Sequence, residues 1–198
     1  MILIVAVALG LAAGFLQAKL RKEPYQPIEL KYFWLVLVAA IPQFLAFFVA
    51  GTRNRIPDQW IPIILIATQI ILLVFVWLNR TVPGIWIMGL GLLLNLAVIS
   101  LNGGWMPITP ETLTRLGAPA ESWQIGSRQG FSKDLVLVKE STNLWFLSDI
   151  LTLPTWIPYR VAFSIGDVMI AVGVFVYLLQ NDPSDLKSRK VVQQENKS

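Results

Sequence analysis

The chain predicts an all-α fold: a polytopic bundle of about five membrane-spanning helices, with an extracytoplasmic cap between the fourth and the fifth. Three observations carry this expectation. Five apolar runs recur along 198 residues, each close to the roughly 20 residues that take a helix across about 30 Å of hydrocarbon. The chain is 55% hydrophobic and 14% charged, with a mean hydropathy of +0.62, outside the balance of water-soluble domains. It contains no Cys and no His. That removes disulfides, thiolate redox chemistry and the usual ligands of zinc, copper and haem, so no metal or cofactor is expected.

The runs give spans of about Ile2 to Lys19, Tyr32 to Ala50, Trp60 to Leu78, Pro83 to Leu101 and Ala162 to Leu179. In lipid the backbone must satisfy its own hydrogen bonds, so these are helices. In the first, Ala6, Gly10, Gly14 and Ala18 recur every four residues and line one face. A neighbouring backbone can approach closely there, either within the bundle or in a dimer. Pro42, Pro62 and Pro83 are expected near span ends or in first turns, where a missing N–H costs least. Aromatic residues such as Trp34, Trp60, Trp77, Trp86 and Trp105 mark the edges, as amphipathic rings do at the headgroup level.

Orientation follows from the basic residues. Lys19, Arg21, Lys22 and Lys31 follow the first span, and Lys187, Arg189, Lys190 and Lys197 lie in the tail. Placing both inside gives an outside N-terminus, a cytoplasmic C-terminus and an odd number of crossings. The expected location is the cytoplasmic (inner) membrane, crossed several times. Residues 1–180 then form one membrane domain, and the charged segment 181–198 is expected to be a disordered cytoplasmic tail. The formal charge of +4 is scattered through loops and tail, which disfavours a nucleic-acid partner; the bilayer, a lipid or another membrane protein are the partners this pattern allows.

Residues 102–160 form the outer cap. Asn102-Gly103-Gly104-Trp105-Met106-Pro107 is a helix exit: glycines supply unusual backbone angles and Pro107 stops the helix resuming. A short amphipathic piece is expected at Pro110 to Leu116, and a strand at Leu135 to Val138. Thr142 to Ile150 is too short to span, so it lies on the surface or re-enters. Nearly sixty residues of this kind should pack as a hood over the bundle.

Two carboxylates stand out. Asp149 precedes a turn with Pro154 and Pro158, and Asp167 opens the fifth helix. The prolines forbid one continuous helix between them, so the chain can double back and bring them together. Neighbouring carboxylates can share a proton and activate water without His or metal. The alternative is structural: Asp167 caps its helix or pairs with Arg160, and Asp149 caps or pairs in the loop. Asn95 and Asn102, seven residues apart, share a helix face and can bond a partner helix or line a polar cavity.

The order of these motifs, an apolar first helix, Asn-Gly-Gly-Trp-Met-Pro from Asn102, Asn-Leu-Trp-Phe-Leu-Ser-Asp ending at Asp149 and Phe-Ser-Ile-Gly-Asp-Val from Phe163, resembles an uncharacterised family of bacterial multi-spanning membrane proteins classed as a domain of unknown function. Locally, Asp149 to Gly173 is similar to the C-terminal part of lipoprotein signal peptidase, an intramembrane aspartic peptidase. The resemblance implies Asp149 as the first carboxylate and Asp167 as the second. Ser164 stands where that family has Asn, Gly166 where it has Ala, and its Gly-Asn-x-x-Asp-Arg element is missing.

Two functions follow. One is a noncatalytic binding or subunit-interaction protein with an outward-facing cap, using Asn102, Gly103, Gly104 and Arg160; this predicts an apolar cleft between cap and bundle. The other is an intramembrane aspartic-type hydrolase or peptidase, with Asp149 and Asp167 as alternating base and acid and Asn102 or Arg160 steadying developing charge.

Overall fold

The computed structural model describes residues 2–181, so the expected tail lies outside the described residues except for Asn181. Along the chain come α1 (Ile2–Leu20), α2 (Trp34–Phe47), α3 (Ala50–Arg53), α4 (Ile61–Leu78) and α5 (Ile85–Leu101). The cap contributes β1 (Met106–Ile108), α6 (Pro110–Arg115), β2 (Asp134–Val136), β3 (Leu151–Thr152) and β4 (Ala162–Phe163), and α7 (Ile165–Leu179) follows. The fold is mostly helical, with small two-stranded sheets confined to the cap: β1 beside β2 in parallel, β3 beside β4 antiparallel. Ile2–Leu20 and Asp58–Leu78 are long and apolar enough to cross a membrane; Trp34–Phe47, Ile85–Leu101 and Ile165–Leu179 are apolar and shorter.

The spans differ from expectation in several details, and the strand expected at Leu135 to Val138 runs from Asp134 to Val136. The run 32–50 is divided, because α2 stops at Phe47 and Val49 turns extended (φ −90°, ψ 110°) before α3. Pro42 sits inside α2 instead of near its end, where it removes one backbone hydrogen bond that packing on α4 must offset. The last helix starts at Ile165, not Ala162, because Ala162 and Phe163 pair with Thr152 and Leu151.

The long helices form an open arc in the order α1–α7–α5–α4–α2. Small residues set the spacing at its first joints. The buried residues of α1 are Ala6, Gly10, Gly14 and Ala18, and they face α7: a Cβ on Gly10 would stand 2.9 Å from Leu178 Cβ. The small-residue face is therefore used within the bundle. At the next joint Gly91 of α5 lies against the Gly166 carbonyl of α7 and would collide with it if it carried a Cβ. No side chain fits between those backbones.

The helices are tied together at both of their axial ends. At one end the α1–α2 connection is held by Tyr25 Oη donating to Leu178 O (2.7 Å), Tyr177 Oη donating to Ile28 O (2.9 Å) and the Asn79 side chain bridging both backbone groups of Lys31 (2.7 and 2.9 Å). At the other, Met106 and Leu147 of the cap pack with Ala46, Ile61, Leu65, Val98 and Ile99 of the bundle. Arg128, its side chain only 8% exposed, adds an ion pair to Asp58 (2.7 Å) and lies over the rings of Phe47 and Trp105. A separate cap core gathers Ile108, Leu113 and Val136.

Gly91→Val should wedge α5 from α7 and cost about 1–3 kcal/mol, lowering the melting temperature in mild detergent. Gly51→Ala, at a helical position with nothing within 4 Å of an added Cβ, should be neutral or stabilising by up to about 1 kcal/mol. Equal effects of the two would contradict the close α5–α7 approach.

Candidate functional site: a buried charge cluster under the cap

β1 leaves α5 through Gly103 (φ +70°) and Gly104 (φ +85°), the latter pressed against Pro62. Left-handed angles at two successive positions turn the chain abruptly, and Asn102 secures the turn. Its Nδ2 donates to Val98 O (2.7 Å) and Asn143 O (2.9 Å), and its Oδ1 accepts from Asn143 N (2.9 Å). Asn102 therefore bolts the end of α5 to the cap. Arg160 is exposed and makes no ion pair among the described residues.

β1 then organises the acids. Met106 N donates to Lys133 O (3.2 Å) and Asp149 N donates to Pro107 O (3.0 Å), so Lys133 and Asp149 approach from segments that both bond to this strand. Their side chains meet, with Lys133 Nζ 2.6 Å from Asp149 Oδ2 and 3.5 Å from Asp134 Oδ1. Asp149 is 2% exposed, whereas the Lys133 side chain keeps 33% of its surface. Asp149 Oδ1 and Asp134 Oδ1 are buried without a hydrogen-bond partner.

Burial pushes the Asp149 carboxyl from 3.8 up to about 7; Lys133 pulls it down, while Asp134 and Asp167 push it further up. For Lys133, burial disfavours the ammonium, but Asp149, Asp134 and Asp167 outweigh it and hold its pKa above the usual lysine range. One ammonium thus serves several carboxylates, and the excess negative charge is most easily relieved by a proton on Asp149.

The β3–β4 hairpin doubles the chain back, as the prolines imply, and delivers α7 beside this cluster. Ser164 caps α7: its Oγ accepts from Asp167 N (2.9 Å), and Asp167 Oδ2 accepts from Ser164 N (3.2 Å), a complete capping box. Asn95 of α5 joins it, with Nδ2 donating to Asp167 Oδ1 (2.8 Å) and Oδ1 accepting from Ser164 Oγ (2.8 Å). Gly166 makes the approach possible, since a Cβ there would run into Asn95 Oδ1. Asp149 and Asp167 thus share one polar neighbourhood, each with a structural partner: Lys133 for one, the helix cap and Asn95 for the other.

Lys133 and Asp134 escape a reading of the sequence, since charges beside a Gly- and Ser-rich stretch look like solvated loop. The one available signal is their place directly before the apolar residues of β2. Among the described residues no group of three or more acids is arranged to hold a metal ion.

Met106 and Leu147 pack against the bundle at the cap junction, and two apolar cavities lie among the helices. One groove of about 270 Å³ runs between α1 and α7, with Ile2, Leu9, Phe163, Val168 and Phe175 on its walls. A second cavity, of about 280 Å³, lies inside the arc and takes walls from α1, α2, α4, α5 and α7.

Fold and site together describe a mostly helical protein, with two helices long and apolar enough to cross a membrane and a polar cap held by the Lys133–Asp149 ion pair. Residues 27–179 match the family of unknown function DUF5317, and the chain belongs to that family. An uncharacterised protein from Thermotoga maritima is 29% identical over 109 residues, covering 54% of this chain and 56% of the relative, so the chain spans little more than half of that relative's length. No solved structure matches the chain.

Lys133→Met strands the Asp149 carboxylate, and should cost about 1–3 kcal/mol, less than a fully buried pair because the lysine is partly solvated. Limited proteolysis should then cut within 102–160 at a rate at least several-fold above wild type. Acidity gives an independent check. Because the Asp149 pKa is raised on folding, its contribution to stability is complete below pH 3.8 and is lost as pH climbs through about 7. The melting temperature should fall between pH 4 and 8, and Asp149→Asn should flatten that dependence; an equal slope in the variant would remove Asp149 as its source.

Proposed function

We propose that this chain is a bacterial inner-membrane protein that crosses five times, N-terminus outside and tail in the cytoplasm, and that it works by binding a membrane-resident partner, not by catalysis. The observation that carries the noncatalytic reading is the engagement of both acids, Asp149 by Lys133 at 2.6 Å and Asp167 by its capping box and Asn95. Large apolar side chains on the helix faces support the five crossings: Leu9, Phe15, Leu16, Phe44, Ile63 and Trp86 are each more than half exposed, a surface suited to hydrocarbon. The shorter helices, 14 to 17 residues, measure about 21–26 Å. Local thinning of the bilayer and their interfacial flanks make up the difference.

The second reading, an intramembrane aspartic hydrolase, draws on one observation: Asp149 has a pKa pushed up to about 7 and a buried Oδ1 with no hydrogen bond, and Asp167 lies in the same cluster. A group that titrates near neutrality suits general acid–base work. In that reading one carboxylate takes the proton of a water as the other, protonated, gives its proton to the leaving group.

The absence of Cys from the chain makes the topology directly measurable. Single Cys residues placed at Ser127 and Thr155 should react with an impermeant maleimide on intact cells, and one at Arg80 only after lysis. The opposite pattern would invert the orientation. For the choice of chemistry, reconstituted protein with a membrane-embedded peptide substrate should show no turnover that Asp149→Asn and Asp167→Asn both abolish; such turnover would establish the hydrolase instead.

A further inference from the structure

The cavity inside the arc is the feature that the cap and its acids leave unexplained. Its floor is formed by buried Ala39 of α2, Phe75 and Val76 of α4 and Leu92 of α5, and its mouth by exposed Leu3 of α1 and Ala40 of α2. These are the two ends of the arc. α1 packs on α7 and α2 on α4, and the exposed Leu3 and Ala40 on its walls put the cavity's opening between α1 and α2, toward whatever surrounds the bundle. From Val36 to Gln43 along α2 it extends about 10 Å, seven residues at 1.5 Å each.

Its walls carry no charge. Gln43 is the polar side chain on them, and its Nε2 already donates to Thr68 Oγ1 at 2.6 Å. Water needs two to four polar partners to be held in a cavity, which these walls do not supply. At about 280 Å³ the space is nearly twice the ~150 Å³ of an apolar cavity that stays dry and takes up benzene. Left unfilled, walls of this extent forgo dispersion contacts.

We infer that this slot is a binding site for one acyl chain of a membrane lipid, which enters laterally between α1 and α2. The inference rests on the membrane-spanning reading above, and it specifies the partner as a lipid. A slot open on its flank to the hydrocarbon layer meets acyl chains at the highest concentration of any apolar solute, and a flexible chain follows a narrow path that a helix about 10 Å across cannot. Ala39 and Ala40 set the width: each places a methyl group where a larger residue would occupy the path.

The test uses the full chain reconstituted into phosphatidylglycerol vesicles that carry a lipid with a photoreactive diazirine on its acyl chain, followed by peptide mapping. Adducts are expected on Leu72, Leu92 and Ile170 inside the slot. Ala39→Phe should lower them at least fivefold while adducts on the exposed Phe15 and Leu16 stay constant; Ala40→Leu, at the mouth, provides the same comparison if the first variant unfolds. Adducts restricted to exposed faces, or slot labelling unchanged in a folded variant, would overturn the site. So would protein–protein cross-links at these residues in place of lipid adducts, which would make the occupant a partner helix. Single-Cys labelling in the same vesicles separates this failure from a failure of the five-crossing reading, because it reports topology whether or not the slot is filled.

Discussion

The structure depends on how closely α7 can approach α5. Backbone meets backbone where Gly91 faces Gly166, and Gly173 meets Gly84 and Met88 in the same way one layer further along. This contact is possible only without Cβ atoms, and it places Asn95 within reach of Ser164 and Asp167. A backbone-to-backbone joint of this kind rests on close van der Waals packing and a few interhelical hydrogen bonds. The cap inherits its position from that joint, because α7 begins where the β3–β4 hairpin ends.

From there the constraints pass outward. Asn102 fixes the exit of α5, β1 follows, and β1 aligns Lys133 and Asp149 so that a buried carboxylate finds an ammonium. The pair is not chiefly a source of stability, since the cost of burying the Asp149 carboxylate offsets much of what its attraction to the partly solvated Lys133 returns. Its effect is on register: a cap displaced by one residue along β1 would leave Asp149 without its ammonium partner. Arg128 plays a comparable part at the cap–bundle junction, joining Asp58 to the aromatic faces of Phe47 and Trp105.

Much of the bundle is legible in the sequence, because apolar runs and small-residue spacing are local signals. The four-residue repeat of Ala6, Gly10, Gly14 and Ala18 identifies the buried face of α1 without further information. The division of the second run at Phe47 is less legible, since Phe48, Val49 and Ala50 are as apolar as a continuing span would be. In the cap the limits are different. The Pro110–Arg115 helix and the Asp134–Val136 strand can be read from their patterns, whereas the Lys133–Asp149 pair depends on β1 lying between two segments distant in sequence, information no local window holds. Asp167 is legible twice over, as a helix cap and as a possible acid. Only the position of Asn95, seventy-two residues away, shows how fully its oxygens are occupied.

The pairing of α1 with α7 has a consequence for biogenesis. Tyr25, just beyond α1, bonds to Leu178 across 153 residues of chain, so the glycine-lined face of α1 meets its mate only after nearly everything between them has been made. At about 5–20 residues per second that interval is roughly 8–30 s, during which the nascent first helix keeps this face uncovered. The α1–α7 joint therefore forms only after α7 has been made, and a ribosome that stalls before Ile165 leaves α1 with its small-residue face unpaired.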